Sequence, residues 1–284
     1  MEKTFPRTII GGVSVSRLVI GTNWFLGYSH TTSSQDKLSR SKHENAEYTA
    51  SVIQTFMKYG IDTIMGPFND HPHLCKAAKI AEDKTGKKLI IIDTPVFNVN
   101  DSNEARKEAE NTIKHSKQLG ATFCLPHHTT VEKLVNKNKE IIERLPDYLK
   151  MIRDNNLIPG LSCHMPELVV YSDKNGYDVE TYIQIYNCLG FLMQIEIEYT
   201  NKIIWNAKKP VITIKPMAAG RVTPFVGLTF VWNTIRECDL VTTGCLSTEE
   251  AEEIIEISFA CLERRIPNLE GRNSPVKTAI MPSK

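Results

Sequence analysis

Acid, amide and histidine side chains gather just behind short β-branched runs of this chain. At or past the ends of those runs stand Asn23, then Asn69, Asp70, His71 and His73, then Asp93. Further along come His127 and His128, His164 with Glu167, Asn187 and Lys215. Five of the eight histidines belong to this set. Imidazoles beside a carboxylate suit general acid/base work near neutral pH, and the same nitrogen and oxygen donors suit zinc, manganese or iron.

Asp93 closes the apolar run LIIID, where a carboxylate is costly unless it is paired or holds a cation. It reads as a metal ligand, a general base or an ion-pair partner of Lys215, against a plain loop cap. His127 follows Leu125-Pro126 and His164 closes Gly160-Leu161-Ser162-Cys163-His164; each can ligate a metal, move a proton or bind substrate. His128 points the other way if its strand continues, which favours a structural part. Lys215 ends PVITIK and would be buried in an inward-facing position, lowering its pKa or binding a substrate oxyanion. His71 and His73 in NDHPH form a weaker ligand pair, because an Asp-x-Pro-x segment also opens a helix. Trp24-Phe25 reads as core filling, and Glu196 and Glu198 as solvated. The expected catalytic set is Asp93, His127, His164 and Lys215, with Asp93, His127 and His164 bracketing a cation or one substrate hydroxyl.

The runs that must position these groups are Arg17–Thr22, Ile61–Met65, Leu89–Asp93, Ala121–Leu125, Leu157–Ser162, Tyr182–Asn187, Pro210–Lys215 and Asp239–Thr243. Between them lie helix-periodic segments such as NAEYTASVIQTFMKYG, HLCKAAKIAEDKTGKK and NEARKEAENTIKHSKQLG, the last two carrying a Gly at the stop. Ser247 and Glu250 open AEEIIEISFACLERR as a capping box. Eight strands alternating with helices predict an α/β fold, a (β/α)8 TIM barrel in a single domain over residues 1–284, with an open doubly wound sheet as the alternative. In a barrel the strand C-termini converge on the catalytic face, so the polar set above shares one mouth. Gly27 to Lys42, rich in Ser and Thr, reads as an irregular loop after the first strand, either a lid or a solvated excursion.

Composition narrows the function classes. With 284 residues, 41% hydrophobic and 24% charged, the chain can bury a large core, which excludes disordered, fibrous and coiled-coil readings. Lys plus Arg (34) balance Asp plus Glu (33), and no basic block marks a nucleic-acid surface. Seven cysteines without a CxxC pair argue for reduced thiols. MEKTFPRTII lacks the apolar stretch of a signal peptide, and no run reaches the length of a membrane span. The expectation is a cytoplasmic protein acting on a small molecule, with no nucleic-acid or membrane partner and its oligomeric state left open.

The segments RTIIGGVSVSRLVIGTNWFLG, PGLSCHMPELV, PVITIKPMAAGRV and DLVTTGCLSTEEAEEIIEIS, in that order, resemble the aldo/keto reductases. The resemblance implies a TIM barrel floored by an N-terminal β-hairpin. It also implies a Tyr, Lys, Asp and His tetrad with NADP bound past the eighth strand. Residue by residue, Met65 stands at the Asp, Asp70 or Phe68 at the Tyr and Asp93 at the Lys; His127 alone matches. Past strand eight, GCLSTEE offers a helix N-terminus with acidic neighbours, while Lys215 and Arg221 could hold a phosphate instead. The expected protein is therefore a divergent aldo/keto reductase-like barrel with a remodelled His/Asp site. Its chemistry would be acid/base or metal-assisted, on a small carbonyl or sugar-like substrate. An NAD(P)-dependent oxidoreductase and a catalytically inactive binding barrel are the alternatives. A divalent metal is the favoured cofactor and NAD(P) the less favoured one.

Overall fold

A computed structural model describes residues 3–269. Eight parallel strands form its centre: β1 (Leu18–Gly21), β2 (Thr63–Gly66), β3 (Ile90–Asp93), β4 (Phe123–Cys124), β5 (Ile158–Pro159, continued as Leu161–Ser162), β6 (Tyr182–Ile185), β7 (Val211–Ile214) and β8 (Leu240–Thr243). Each lies within or overlaps one run expected from sequence. Ile158–Pro159 pairs with β4 and Leu161–Ser162 with β6, so the ring closes through the fifth strand and the open-sheet alternative falls. Gly160 sits at that changeover, where a Cβ would come within 2.7 Å of Leu125.

Ahead of the barrel, Arg7–Ile10 and Val13–Ser16 pair antiparallel. Gly11 and Gly12 join them at φ +54° and +82°, the two left-handed positions of a tight hairpin turn. Ile10 and Val15 are buried with the inward-facing Val19, Met65, Ile92, Phe123, Leu125, Ile183, Ile212 and Leu240. The hairpin therefore plugs the floor of a packed barrel rather than a pore. A larger apolar cluster fills the space between the sheet and the helices.

The helices are α1 (Ser33–His43), α2 (Ala46–Lys58), α3 (Pro72–Thr85), α4 (Asn103–Gln118), α5 (His128–Val131), α6 (Leu145–Asp154), α7 (Glu167–Asn175), α8 (Ile197–Asn206), α9 (Pro224–Thr234) and α10 (Thr248–Glu263). Helix α1 corrects the expectation of an irregular segment from Gly27 to Lys42. Thr32 caps it by accepting from Gln35 N, and Ser39 donates to the Trp24 carbonyl. Only Ser39 and His43 of α1 are buried, so no apolar stripe announced the helix. Helix α10 carries the expected Ser247 cap, with Glu250 N donating to Ser247 Oγ at 3.3 Å. All seven cysteines are free thiols. Among the described residues no helix is long and apolar enough to cross a membrane.

Candidate active site at the barrel mouth

A cavity of about 410 Å³ opens at the C-terminal ends of the strands, and every strand or the loop after it contributes to its wall. The volume falls in the range of small-molecule sites. Its polar wall holds His30, His127, His128, His164 and Lys215, with Asn23, Tyr28, Ser29, Thr94, Ser162 and Thr242. No Asp or Glu side chain lines it among the described residues.

His127 continues the inward alternation of Phe123 and Leu125, and its Nδ1 lies 2.9 Å from Thr129 Oγ1. Burial, with His128 and Lys215 nearby, lowers its pKa to about 4. The ring of His128 lies between its two neighbours, 4.3 Å from His127 and stacked on His164 at 3.6 Å. His164, one residue beyond Cys163, has its pKa lowered to about 3 by burial and then by His128 and Lys215. His127 and His164 are therefore neutral near pH 7, able both to donate and to accept a hydrogen bond.

Lys215 directly follows β7 at φ +60°, and Ala218 and Ala219 come next at +49° and +54°. Left-handed backbone at three non-glycine residues in one loop is a stored strain of the kind found at working sites. The Lys215 Nζ lies 3.3 Å from His30 Nε2. Burial holds its pKa below the ordinary lysine value. His30, on the loop between β1 and α1, is likewise held low, first by burial and then by Lys215. Arg221 donates to the His30 and Ala218 carbonyls and stacks 3.9 Å from the Phe191 ring.

Asp93 does not share this mouth. Ile92 faces the barrel interior, so by strand alternation Asp93 faces the helical layer, fully buried. Its carboxylate accepts from Ser116 Oγ at 2.6 Å, Phe68 N at 2.8 Å and Asn69 Nδ2 at 3.1 Å. Desolvation raises its pKa against those hydrogen bonds, which favour the charged form. The expected Asp93, His127 and His164 arc is therefore corrected to a histidine arc without the acid. His71 and His73 also lie outside the cavity wall: the His71 ring is edge-on to Tyr28 at 6.3 Å, and His73 Nε2 is buried without a hydrogen bond. Asp70 is exposed, Phe68 is core, Asn187 ties its own loop by accepting from Phe191 N, and Glu167 pairs with Lys137. Trp24 lines the cavity, while Phe25 is buried against His43.

The cation-binding geometry differs from the expected one too. His128, Glu132 and His164 each place a donor atom within 4.8 Å of the others. His128 Nδ1 is buried without a hydrogen bond, 3.5 Å from Glu132 Oε2, and Glu132 Oε1 accepts from His164 N. Two imidazoles and a carboxylate suit zinc, iron or manganese, although the stacked rings would have to splay to aim both nitrogens at one ion. Glu132 was missed in sequence; its signal is the four-residue step from His128, which puts both on one helical face. Tyr28 and His30 were missed because they sit in the segment read as irregular.

The fold is shared with known proteins at low sequence identity. A Pseudomonas aeruginosa structure provisionally described as an aldo-keto reductase superposes with a TM-score of 0.65 at 13% identity, over 92% of this chain and 97% of that one. Aldose reductase from Giardia lamblia gives 0.54 at 13% identity over 94% and 90%. Thiamine phosphate pyrophosphorylase from Pyrococcus furiosus gives 0.51 at 12% over 86% and 96%. No protein-family model matches the chain, and no curated protein matches it in sequence. The architecture these comparisons share with the chain is the TIM barrel.

The sequence resemblance to aldo/keto reductases implies a nicotinamide cofactor, and the residues present do not fit one. At the start of α10, Glu250 Oε2 accepts from Leu246 N at 2.7 Å, occupying an amide that an incoming phosphate would use. Glu249 stands beside it in the first turn, so two carboxylates oppose an anion there. Arg221 is committed to two carbonyls and a ring. No lysine takes the place of Asp93.

Proposed function

We propose that this barrel is an enzyme catalysing proton transfer on a small carbonyl-bearing or sugar-like substrate held in the mouth cavity. The lining carries the reading: four imidazoles and one lysine face a space of about 410 Å³ that no carboxylate among the described residues lines. Imidazoles held neutral can take a proton from carbon or hydroxyl and return it, while donors on the opposite wall hold the carbonyl oxygen. His127 and His164 are the proposed acid/base pair, Lys215 with His30 the oxygen-binding side, and Trp24 an apolar wall. Incubating the protein with small aldehydes, ketones and ketoses in D₂O tests this. Catalysed exchange of a proton next to the carbonyl, seen by NMR and lost in His127→Ala or His164→Ala, is the expected result. Binding without exchange would favour an inactive binding barrel.

Metal-assisted chemistry is a second reading, supported by the His128, Glu132 and His164 donors. Cobalt(II) titration tests it: a visible spectrum that Glu132→Gln abolishes supports a site, and a flat titration ends it.

A further inference from the structure

We propose that Lys215 is a covalent catalyst that forms an imine with a carbonyl substrate in this cavity, with His30 as its proton partner. The inference rests on the carbonyl-substrate reading above and deepens it. Four observations lead there. The lysine lies at the end of an inward strand, on the cavity wall. No carboxylate among the described residues pairs with it or lines the cavity, so its ammonium form has no counter-ion. Among the described residues its side-chain hydrogen-bond contact is with the His30 ring at 3.3 Å, which in neutral form can accept a proton from nitrogen. Its backbone is held in the left-handed region at φ +60°, between a β-strand and Pro216, which fixes where the side chain starts.

A half-buried lysine with no acid beside it is a poor structural device and a good nucleophile. Desolvation favours the neutral amine, and the surrounding imidazoles add no charge that would restore the ammonium. The balance of the step is simple. The amine lone pair bonds to the carbonyl carbon as the C=O pair moves to oxygen. Both amine hydrogens then leave with that oxygen as water, one passing through His30, and C=N remains. Protonated on nitrogen, the imine draws electrons from the adjacent C–H bond, which the histidines across the cavity can then break. No oxidant or reductant is consumed.

The full-length protein would be mixed with pyruvate, dihydroxyacetone or glyceraldehyde, each with sodium borohydride, and analysed by intact mass and peptide mapping. The expected result is an adduct confined to Lys215 with at least one of these carbonyls, absent when borohydride is added alone. Lys215→Met should remove the adduct while the chain keeps its thermal transition. His30→Ala should slow its formation and leave its location unchanged. Adducts spread over exposed lysines such as Lys150 and Lys208, or none at all on Lys215, would overturn the proposal. Because mapping is done on the wild-type chain, a variant that fails to fold does not decide the matter. Exchange in D₂O that persists without any adduct refutes the imine alone; loss of both refutes the acid/base reading as well.

Discussion

Asp93 and Ser116 are locked together at 2.6 Å between β3 and α4, on the far side of the strand from the cavity. The same carboxylate takes the Phe68 amide at the end of β2, so one buried acid ties together the strand, the β2 loop and a helix of the outer layer. Its work is architectural. Asp93→Asn turns an acceptor into an amide that faces the donors Ser116 and Asn69, and should cost about 1–3 kcal/mol of stability. Denaturant unfolding should show that loss, with the Lys215 adduct still forming. Unchanged stability with a lost adduct would place Asp93 back in the site.

The misplacement of Asp93 has a physical cause. In a parallel barrel both faces of a strand are buried, one by the barrel interior and one by helices, so LIIID shows no alternation to reveal parity. Eight strands could be counted from such runs because a count does not depend on parity, and the hairpin was implied by the resemblance of RTIIGGVSVSRLVIGTNWFLG to a known family. His127 could be placed because Pro126 and the family likeness both fixed its approach. His128 could not: it leaves the strand and starts α5, so its ring turns back onto His164 instead of away. The His30 and Lys215 contact joins positions 185 residues apart, and nothing local in either segment encodes it.

Acid should weaken the fold in a way traceable to His43. Its ring is 1% exposed, with Nδ1 3.0 Å from Thr49 Oγ1, and burial lowers its pKa from 6.5 to about 4. Between those values the unfolded chain binds more protons than the folded one, so stability falls as pH drops from 6.5 towards about 4. The slope from one such group is at most about 1.4 kcal/mol per pH unit. His43→Asn, which can still bond Thr49, should flatten the pH dependence of the unfolding free energy over that range. Parallel curves for the two proteins would show that His43 is not a source of acid lability.

Nicotinamide chemistry should be absent. With Glu250 bonded to the Leu246 amide and no tyrosine or lysine at the matched strand ends, NADPH fluorescence should be unchanged on adding protein. A panel of simple aldehydes should likewise leave NADPH absorbance steady. Saturable quenching, or aldehyde-dependent NADPH oxidation lost in His127→Ala, would restore the oxidoreductase reading.

Lys215 should titrate apart from the other lysines. Its amine is desolvated, and the groups facing it are His30 from the first loop, His127 and His128 after β4, His164 after β5 and Arg221 within its own loop. Arg221 is cationic and the imidazoles are neutral or cationic, so none of them stabilises an ammonium, and the neutral amine is reached at lower pH than on the surface. The sign for stability follows. A lysine whose folded pKa is depressed opposes folding at low pH; that cost begins to fall as pH rises past the folded value and is gone above the unfolded one. Competitive labelling with trace acetic anhydride, read by peptide mass across a pH series, follows each lysine separately. Lys215 should gain reactivity at lower pH than exposed Lys150, whose ammonium lies 2.7 Å from Asp154 Oδ2. His30→Glu would place a carboxylate beside the amine and should move the Lys215 midpoint upward. A Lys215 midpoint at or above that of Lys150 in the wild-type chain would mean that the cavity is wet enough to keep the ammonium, and that its nitrogen binds substrate oxygen instead of carbon.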